Sequence, residues 1–502
     1  MVVQHNMQAM NANRMLNVTT STQAKSTEKL SSGYKINRAA DDAAGLTISE
    51  KMRKQIKGLD QASTNAEDGV SSVQTAEGAL TEVHSMLQRM NELAVQASNG
   101  TNSESDRSAI QDEISQLTTE IDRVSETTKF NETYLLKGDE GTKTINMKAH
   151  DAGLKGTLVD NGDGTATFTM DELNAGDTVS IGGKNYTIGS TDAEVDAWFG
   201  TNGAGKDIDD AAGKKVTVNG TEYTYYEKVD KTTSAGTIAA GWYAEKPTAP
   251  TDVNASTTPG YASKADIIKA VKAGATASTG TKSITGMNDS KSNTTGAAGA
   301  DGISDTDVTV ISKQKAYELA GKELLAANQI GDTEDHAEVK NSDDSDLAYN
   351  KGDGTFKIKV GQAKVANSLS FSLHVGADAD MTNKIQVNID SMDSASLGIK
   401  GLNVKDKTGN AATYAIDAIA DAVSKVSSQR SALGAVQNRL EHTIANVDNV
   451  VENTTSAESR IRDTDMAEEM VNYSKNNILA QAGQSMLAQA NQSNQGVLSL
   501  LQ

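Results

Sequence analysis

An apolar repeat near both ends of the chain is the feature that most restricts its fold. In three segments, apolar side chains recur every three or four residues, which is the spacing of a helix face that packs against another helix. Two segments lie before residue 125 and the third lies after residue 415, so each end presents a face that needs a partner. Pairing the ends buries both faces and brings the two termini together. The repeat comprises Val70, Val73, Leu80, Val83, Leu87, Met90 and Leu93, then Ile110, Ile114, Leu117, Ile121 and Val124, and finally Ile416, Ile419, Val423, Val426, Leu433, Val436, Leu440, Ile444 and Val447.

The two extremities of the chain carry almost no charge. No charged residue follows Lys475, and Arg14 is the only charged residue among the first 24. One interpretation is a pair of frayed tails. Soluble disordered tails usually carry charge, however, and these segments are amphipathic, so burial on assembly is favoured over fraying. We therefore predict a self-assembling polymer whose contacts include Met7, Met10, Ile478, Ala482, Met486, Ala490, Val497 and Leu501.

The composition changes near residues 140 and 366. The stretch between these positions holds all 3 prolines and both tryptophans of the chain. Alternating runs at 179–188 and 216–226 are broken by Gly-Gly and Asn-Gly, which predicts two β-hairpins. The middle of the chain is therefore predicted to be an α+β insertion, formed by one or two small domains.

Other segments of the insertion also have recognisable patterns. Residues 262–273 and 313–330 have helical periodicity. The sequences at 161–170 and 351–360 resemble each other and are predicted to be hairpin arms at either end of the insertion. Serine, threonine and glycine dominate 278–300, which predicts exposed loops.

Composition excludes several classes of protein. The chain has no cysteine, which rules out a disulfide scaffold, a thiolate zinc site and cysteine catalysis. Its 67 acidic and 47 basic side chains give a net charge of −20, so we expect no binding to nucleic acid or to anionic lipid. No apolar stretch approaches the roughly 18–20 residues that span a bilayer, and the N-terminus lacks the pattern of a Sec-type signal peptide. We expect no membrane insertion, and any export would use another route.

The sequence predicts no active site, cofactor or metal centre. Residues 200–206 have the glycine and lysine spacing of a phosphate-binding loop, but Asp207 follows where a Ser or Thr hydroxyl should bind magnesium. Asp343, Asp344 and Asp346 suggest a calcium loop that lacks its glycine and its closing glutamate. The 6 histidines are scattered and form no zinc-binding pair. We therefore expect a protein that is not an enzyme.

Both ends of the chain resemble the signatures of bacterial flagellins. The most distinctive match is Arg-Ala-Ala-Asp-Asp-Ala-Ala-Gly-Leu at 38–46, and the opening Met-Val-Val-Gln-His-Asn resembles flagellins of Gram-positive gut anaerobes. The resemblance covers about the first 140 and the last 135 residues. The matching segments are 27–53, 87–107, 120–136, 428–447 and 456–470.

This resemblance implies a fold class that is mainly α, with paired N- and C-terminal helices in a coiled-coil-like bundle and an inserted α+β variable outer region. Segments 1–42 and 458–502 would be the terminal helices of the filament inner core. Segments 43–140 and 366–457 would form a helical bundle with a β-hairpin, and 141–365 would be the surface-exposed insertion. The implied function is a structural subunit of the extracellular flagellar filament, used for motility and exported unfolded and uncleaved by the flagellar type III apparatus.

The resemblance also implies partners. The first is the chain itself, as a helical homopolymer. An export chaperone would hold the C-terminal helix, and filament cap and hook-junction proteins would contact the assembled subunit.

A host receptor is a further implied partner. Host Toll-like receptor 5 would recognise the monomer through Gln88, Arg89, Glu92, Leu93 and Gln96, together with Glu113 on the neighbouring helix. Helical spacing places Arg89, Glu92, Leu93 and Gln96 on one face, although Leu93 also fits the heptad core. Asn91 stands where arginine is common, so we expect weak signalling.

Two alternatives to a filament subunit remain open at the level of sequence. A hook-filament junction protein shares the terminal helices, but the extensive match at both ends and the long insertion count against it. A filament-borne adhesin or enzyme would place its activity in the insertion, where no catalytic metal motif is found.

Overall fold

Long helices form at both ends of the chain, as the apolar repeat predicts. The computed structural model describes residues 6–200, 214–227, 241–245, 261–280, 282–289, 301–349, 351–406 and 408–499. The two longest helices contain 56 and 53 residues, and neither contains proline, which would interrupt the backbone hydrogen bonds. The helices of the described residues are α1 (Met7–Ser32), α2 (Ala43–Ser98), α3 (Glu104–Thr127), α4 (Asp192–Trp198), α5 (Lys264–Lys272), α6 (Lys313–Asn328), α7 (Ser394–Leu397), α8 (Asn410–Arg462) and α9 (Met466–Ser499).

The strands lie between α3 and α8. They are β1 (Lys129–Phe130), β2 (Thr133–Tyr134), β3 (Asp139–Asn146), β4 (Gly156–Asp160), β5 (Thr165–Met170), β6 (Thr178–Ile181), β7 (Lys184–Ile188), β8 (Lys215–Val218), β9 (Thr221–Tyr226), β10 (Gly241–Tyr243), β11 (Tyr261–Ala262), β12 (Thr276–Ser278), β13 (Ser283–Thr285), β14 (Val310–Ile311), β15 (Glu338–Asn341), β16 (Thr355–Lys359), β17 (Gln362–Asn367), β18 (Leu369–His374) and β19 (Lys384–Ile389). This order confirms the predicted fold class, which is mainly α with an inserted α+β region.

The strands that the structure describes form six sheets. Three have two strands each, β1 with β2, β3 with β17, and β18 with β19. The larger sheets have the strand orders β11-β10-β9-β8-β12-β13, β15-β16-β5-β4 and β14-β7-β6. Within these three larger sheets, β14 and β7 pair in parallel and the other neighbouring strands pair antiparallel.

The chain divides into two compact units. The first comprises residues 1–75, 370–388 and 431–502, and the second comprises 76–369 and 389–430. In the first unit, Ala66, Ile385 and Leu440 form a small apolar core. Gly69 lies against this core, and a Cβ at that position would be 2.2 Å from Leu373 Cδ1, so a larger residue there would displace the Leu373 side chain.

The second unit contains two separate apolar cores within the insertion. One core joins the sheet of β4, β5, β15 and β16 to α6, and Phe168 stacks on Phe356 within it with ring centroids 6.5 Å apart. The other core joins the six-stranded sheet to α4 and α5 and includes Trp242, Phe199 and Val271. The predicted α+β insertion is thus built around two cores.

Two hairpin turns of the insertion have the residues that the sequence analysis used to predict them. Gly182 and Gly183 connect β6 to β7, and Asn219 and Gly220 connect β8 to β9. All four residues have positive φ angles, which Gly and Asn adopt at low cost. The two predicted hairpins are confirmed, and so are the helices at 262–273 and 313–330, which are α5 and α6 within a few residues.

The expectation of exposed loops over 278–300 is wrong in part. Residues Ser283–Thr285 form β13, which pairs with β12, and Ile284 and Met287 are buried. This strand is only three residues long, and Ile284 is its one apolar residue. An alternation of apolar and polar residues that short does not predict a strand. Residues 281 and 290–300 lie outside the described residues.

Candidate assembly and recognition surfaces

The first and last described helices pack along each other. On α1, the less exposed residues recur at alternating spacings of three and four, and the same alternation appears on α9. This is the heptad pattern of a coiled-coil seam. The residues of the seam are Ala9, Ala12, Leu16, Thr19, Gln23, Ser26 and Leu30 on α1, and Glu469, Tyr473, Asn476, Ala480, Gly483, Leu487 and Ala490 on α9.

Small side chains allow the two backbones to come close. Gly483 faces Leu16, and a Cβ built on Gly483 would lie 3.3 Å from Leu16 Cδ1. Asn6 begins α1, because its side-chain oxygen accepts a hydrogen bond from the Ala9 N–H at 2.9 Å. The side-chain nitrogen of Asn6 donates to the carbonyl oxygen of Ala490 at 3.0 Å. The start of α1 is therefore attached to α9 by a hydrogen bond as well as by apolar packing.

Backbone hydrogen bonds close the other end of the pair. The Lys35 N–H donates to the carbonyl oxygen of Arg462 at 2.7 Å, and the Thr464 N–H donates to that of Gly33 at 3.0 Å. The guanidinium of Arg462 also lies 4.8 Å from the centre of the Tyr34 ring. These contacts join the end of α1 to the short segment between α8 and α9.

Several large apolar side chains of α1 and α9 lie outside this seam and are exposed. Met7, Met10, Ile478 and Met486, which the sequence assigned to polymer contacts, have between 62% and 67% of their surface exposed. Ala482 is exposed as well, whereas Ala490 belongs to the seam. The side chain of Val497, and the whole of Leu501, lie outside the described residues. The same surface also includes Met15, Val18, Met470, Val471 and Leu479, which sequence reasoning missed.

The second candidate surface lies on the last turns of α2 and on α3. Arg89 Nε lies 2.9 Å from Glu113 Oε1, and Arg89 Nη1 lies 3.1 Å from Glu92 Oε2. The hydrogen bond to Glu113, followed by that to Glu92, raises the pKa of Arg89 above its usual value. Gln88 and Gln96 are exposed beside them. The structure therefore brings five of the six predicted receptor residues to one exposed surface.

Leu93 is the sixth residue of that prediction, and its position differs. Only 2% of Leu93 is exposed, so its side chain belongs to the buried face of α2, as the heptad spacing also indicated. The receptor-binding role of Leu93 therefore stays a prediction, for a side chain that is buried in the isolated chain. The neighbouring Val95 is 51% exposed and supplies an apolar group at this surface that sequence reasoning missed because it lies outside the heptad repeat.

A buried arginine holds the turn between α2 and α3. Arg107 Nε donates to the carbonyl oxygen of Ala97 at 3.1 Å, and Arg107 Nη2 donates to that of Asn99 at 3.3 Å. A cation that satisfies carbonyls at a helix C-terminus is favourable. Ser103 and Asp106 form a capping box that begins α3 directly afterwards. These contacts fix the position of Glu113 relative to Arg89.

The motifs that suggested chemistry do not form sites in the part of the chain that the structure covers. Asp343 accepts a hydrogen bond from the Ser345 N–H at 3.0 Å, and Asp344 pairs with Lys357 at 2.8 Å. Within the described ranges, no group of three or more His, Asp or Glu side chains is arranged to hold a metal ion. Residues 201–213, which contain most of the glycine-rich motif, lie outside the described residues. None of the helices searched among the described residues has the length and hydropathy of a membrane span.

Comparison with known proteins assigns the two helical ends to one family. The family model for the bacterial flagellin N-terminal helical region matches residues 3–140, and that for the C-terminal helical region matches residues 416–501. The flagellin of Clostridium tyrobutyricum is 37% identical over 99% of this chain and 100% of its own length.

Relatives from other bacteria align over nearly the same extent. Flagellin of Salmonella typhimurium is 35% identical over 97% of this chain and 96% of its own length. Flagellin B of Vibrio anguillarum is 33% identical over 99% of both chains. The matches cover the insertion as well as the helical ends, and on this evidence the chain belongs to the bacterial flagellin family.

Proposed function

We propose that the exposed apolar side chains of α1 and α9 form the contacts between subunits in the filament. As a flagellin, the chain is a structural subunit of the bacterial flagellar filament. The observation that carries the proposal is the exposure of Met7, Met10, Ile478 and Met486, each more than 60% exposed on helices whose seam is already filled by other residues.

Burial of these side chains would supply the driving force for assembly. A large apolar side chain that moves from water into a packed interface contributes about 1.5–3 kcal/mol. Contiguous exposed apolar surface on a soluble protein marks an interaction site. No charged residue follows Lys475, so the described part of α9 after this residue can be buried without an unpaired charge. The apolar and uncharged character of these helices therefore fits a surface that is covered in the polymer.

Seeded elongation tests this proposal. Full-length protein is added to sheared filaments of the same chain, and electron microscopy measures the length gained. We expect long filaments from the intact chain and none after removal of residues 473–502. A variant with serine at Met7, Met10, Ile478 and Met486 should elongate at least tenfold more slowly, because several buried apolar contacts are lost.

Val308 provides a matched control for the serine variant. It is an apolar residue of the insertion with 73% of its surface exposed, and Val308→Ser should elongate like the wild type. Equal elongation by the serine variant and the control would contradict the proposal. An intact chain that elongates no seed would favour the hook-filament junction protein instead.

The apolar stripe of α9 also supports a role for an export chaperone. Before assembly, Ile478, Leu479 and Met486 are exposed to water on one helix, and exposed apolar side chains on a helix are the groups that bind the apolar groove of a partner. We infer that the chaperone holds this helix during export through the flagellar type III apparatus to the cell exterior. Filament cap and hook-junction proteins are further expected partners of the subunit. Co-purification with the chaperone should be lost in a chain with serine at these three positions and retained in Val308→Ser.

We further propose that Toll-like receptor 5 recognises the monomer through the surface around Arg89. The guanidinium is exposed and is held in one orientation by Glu92 and Glu113, so little side-chain entropy is lost when it binds a partner. Gln88, Gln96 and Val95 add polar and apolar groups beside it. The signal is expected to be weak because Asn91 stands where related sequences often have arginine.

Receptor binding has a matched control on α3. Arg123 is exposed and pairs with Glu120, three residues before it, much as Arg89 pairs with Glu92. Arg89→Ala should reduce affinity for the receptor ectodomain at least tenfold, whereas Arg123→Ala should leave it unchanged. Wild-type affinity of Arg89→Ala would refute the assignment. Asn91→Arg should raise signalling in a receptor reporter cell line.

A further inference from the structure

The methionines of this chain are divided between two kinds of environment. The chain contains 15 methionines and no cysteine, so methionine is its only oxidisable sulfur. Among the described residues, Met90, Met147, Met170, Met287 and Met392 are buried. Of the methionines that the structure describes, seven are exposed, and six of these lie on α1 or α9. The six are Met7, Met10, Met15, Met466, Met470 and Met486.

This distribution has no explanation in the packing of the isolated chain. An exposed thioether contributes little to the stability of α1 or α9, because its sulfur and methyl group contact water. The seam between the two helices is formed by other residues, among them Leu16, Gly483 and Leu487. The exposed methionines thus lie on the surface proposed above for subunit contacts, where oxidants dissolved in water can reach them.

We propose that these six methionines are oxidation sites through which hydrogen peroxide prevents polymerisation of the free subunit. The inference rests on the proposed function. In the reaction, a sulfur lone pair attacks one peroxide oxygen, a new S–O bond forms and the O–O bond breaks. The sulfur loses two electrons and the peroxide is reduced. The hydroxide that leaves takes the proton from the oxygen now bonded to sulfur and becomes water. The product is methionine sulfoxide.

The sulfoxide changes the chemistry of the interface. It is a strong hydrogen-bond acceptor, whereas the thioether that it replaces is apolar and flexible. A sulfoxide buried without a donor lowers the association constant by about tenfold or more at each site. The same methionines are shielded once the subunit has assembled, so the filament should resist oxidant concentrations that inactivate the monomer. Reduction by methionine sulfoxide reductases restores the thioether and makes the modification reversible.

The test uses the full-length monomer and hydrogen peroxide. Peptide mass spectrometry measures the gain of one oxygen at each methionine, and seeded elongation is followed on the same samples. We expect oxidation first at the six exposed positions, with at least a tenfold loss of elongation rate. Treatment with the two stereospecific reductases should restore elongation. A fully oxidised monomer that elongates at the untreated rate would overturn the proposal.

Two leucine variants identify the methionines responsible. Leucine has nearly the same volume as methionine and cannot be oxidised to a sulfoxide, so the elongation rate of a variant with leucine at all six positions, measured relative to the same variant without peroxide, should no longer fall on peroxide treatment. Met381→Leu is the control, because Met381 is 74% exposed but lies between β18 and β19, outside the terminal helices. That control should remain as sensitive as the wild type.

The outcomes separate this inference from the proposed function. Failure of the untreated wild type to elongate seeds would contradict the assignment of the subunit contacts. Normal elongation of the untreated protein, with sensitivity to peroxide retained in the six-leucine variant, would contradict only the methionine proposal.

Discussion

Asn6 and Ala490 are separated by 484 positions in the sequence, yet the side-chain amide of Asn6 donates a hydrogen bond to the carbonyl oxygen of Ala490 at 3.0 Å. The same side chain caps the first turn of α1 through its oxygen. One residue therefore both begins the N-terminal helix and attaches it to the C-terminal helix. The contact lies at the start of α1 and in the C-terminal part of α9. Helix ends otherwise fray.

Replacing Asn6 with alanine tests this double role. Asn6→Ala removes the cap and the contact with Ala490, and we expect the first turn of α1 to lose about 1 kcal/mol of stability. Hydrogen exchange measured by mass spectrometry should show faster exchange at the start of α1 and little change in α8. Asn13→Ala, at an exposed position of the same helix, is the control. Identical exchange in the two variants would show that the cap has no effect.

The spacing between α1 and α9 depends on the absence of a side chain at Gly483. Gly483→Leu places a bulky group against Leu16, which already lies within 3.3 Å of an added Cβ. We expect overpacking to destabilise the pair by about 1–3 kcal/mol. Limited proteolysis should then cleave α9 faster than in the wild type.

Gly78 on α2 provides the comparison for Gly483. No heavy atom lies within 4 Å of a Cβ built there, and the residue is exposed. Gly78→Leu should therefore raise helix stability by roughly 0.5–1 kcal/mol, because leucine favours the helix over glycine. Equal proteolysis of α9 in both variants would refute close packing at Gly483.

Glu318 should give α6 a dependence on pH. Burial opposes ionisation of Glu318, but the hydrogen bonds from Lys322 and Lys315 outweigh it and hold its pKa below the usual value. A lowered pKa means that the stabilisation is present above the unfolded value of about 4.5 and is lost as the pH falls through the folded pKa. Glu318→Gln should therefore weaken hydrogen-exchange protection of α6 at about pH 7, and the difference from wild type should shrink in acid.

The control for Glu318 is a pair at the surface. Glu338 lies 3.6 Å from Lys340, and both side chains are well exposed, so Glu338→Gln should change the protection of α6 very little. A constant difference between Glu318→Gln and wild type across the acid range would argue against the ion pairs as the cause.

The absence of charge near the end of α9 should be essential for assembly. Gln484 is exposed on α9 beside the apolar surface, and Gln484→Lys would place a cation in a subunit interface. A buried unpaired charge costs several kcal/mol, so elongation should fall by at least about a hundredfold. Thr157→Lys, on the exposed edge strand β4, should elongate normally. Normal filaments from Gln484→Lys would defeat the interpretation that these helices are buried in the polymer.

The sequence predicted the long helices and the hairpins because their signals are local. The spacing of Val73, Leu80 and Leu87 determines which face of α2 is buried, and all three side chains are fully buried in the structure. Asn219 and Gly220 adopt the positive φ angles that their residue types favour. Such features depend on neighbours within a few residues, so they can be inferred without knowledge of the tertiary contacts.

The pairing of the terminal helices was predicted, but the residues that form the α1–α9 seam were not, for a physical reason. Most of its positions are small or polar, such as Ala12, Thr19 and Gly483, and their hydrophobic signal is weaker than that of the exposed methionines. The apolar periodicity therefore identified the exposed surface of α1 and α9 instead of the seam along which the two helices pack. For Leu93 the spacing fitted both the buried core and the receptor surface, and the structure places its side chain in the core.

The pairing of β3 with β17 has a consequence for how this chain can change. Asp139 pairs with Asn367 and Lys143 with Val365, so the chain leaves and re-enters the helical region through adjacent hydrogen-bonded strands. The ends of the intervening segment are held together whatever that segment contains, and the entropy of closing a longer loop grows only slowly with its length. Insertions, deletions and replacements between β3 and β17 can therefore accumulate over generations while the connection to the helices stays the same.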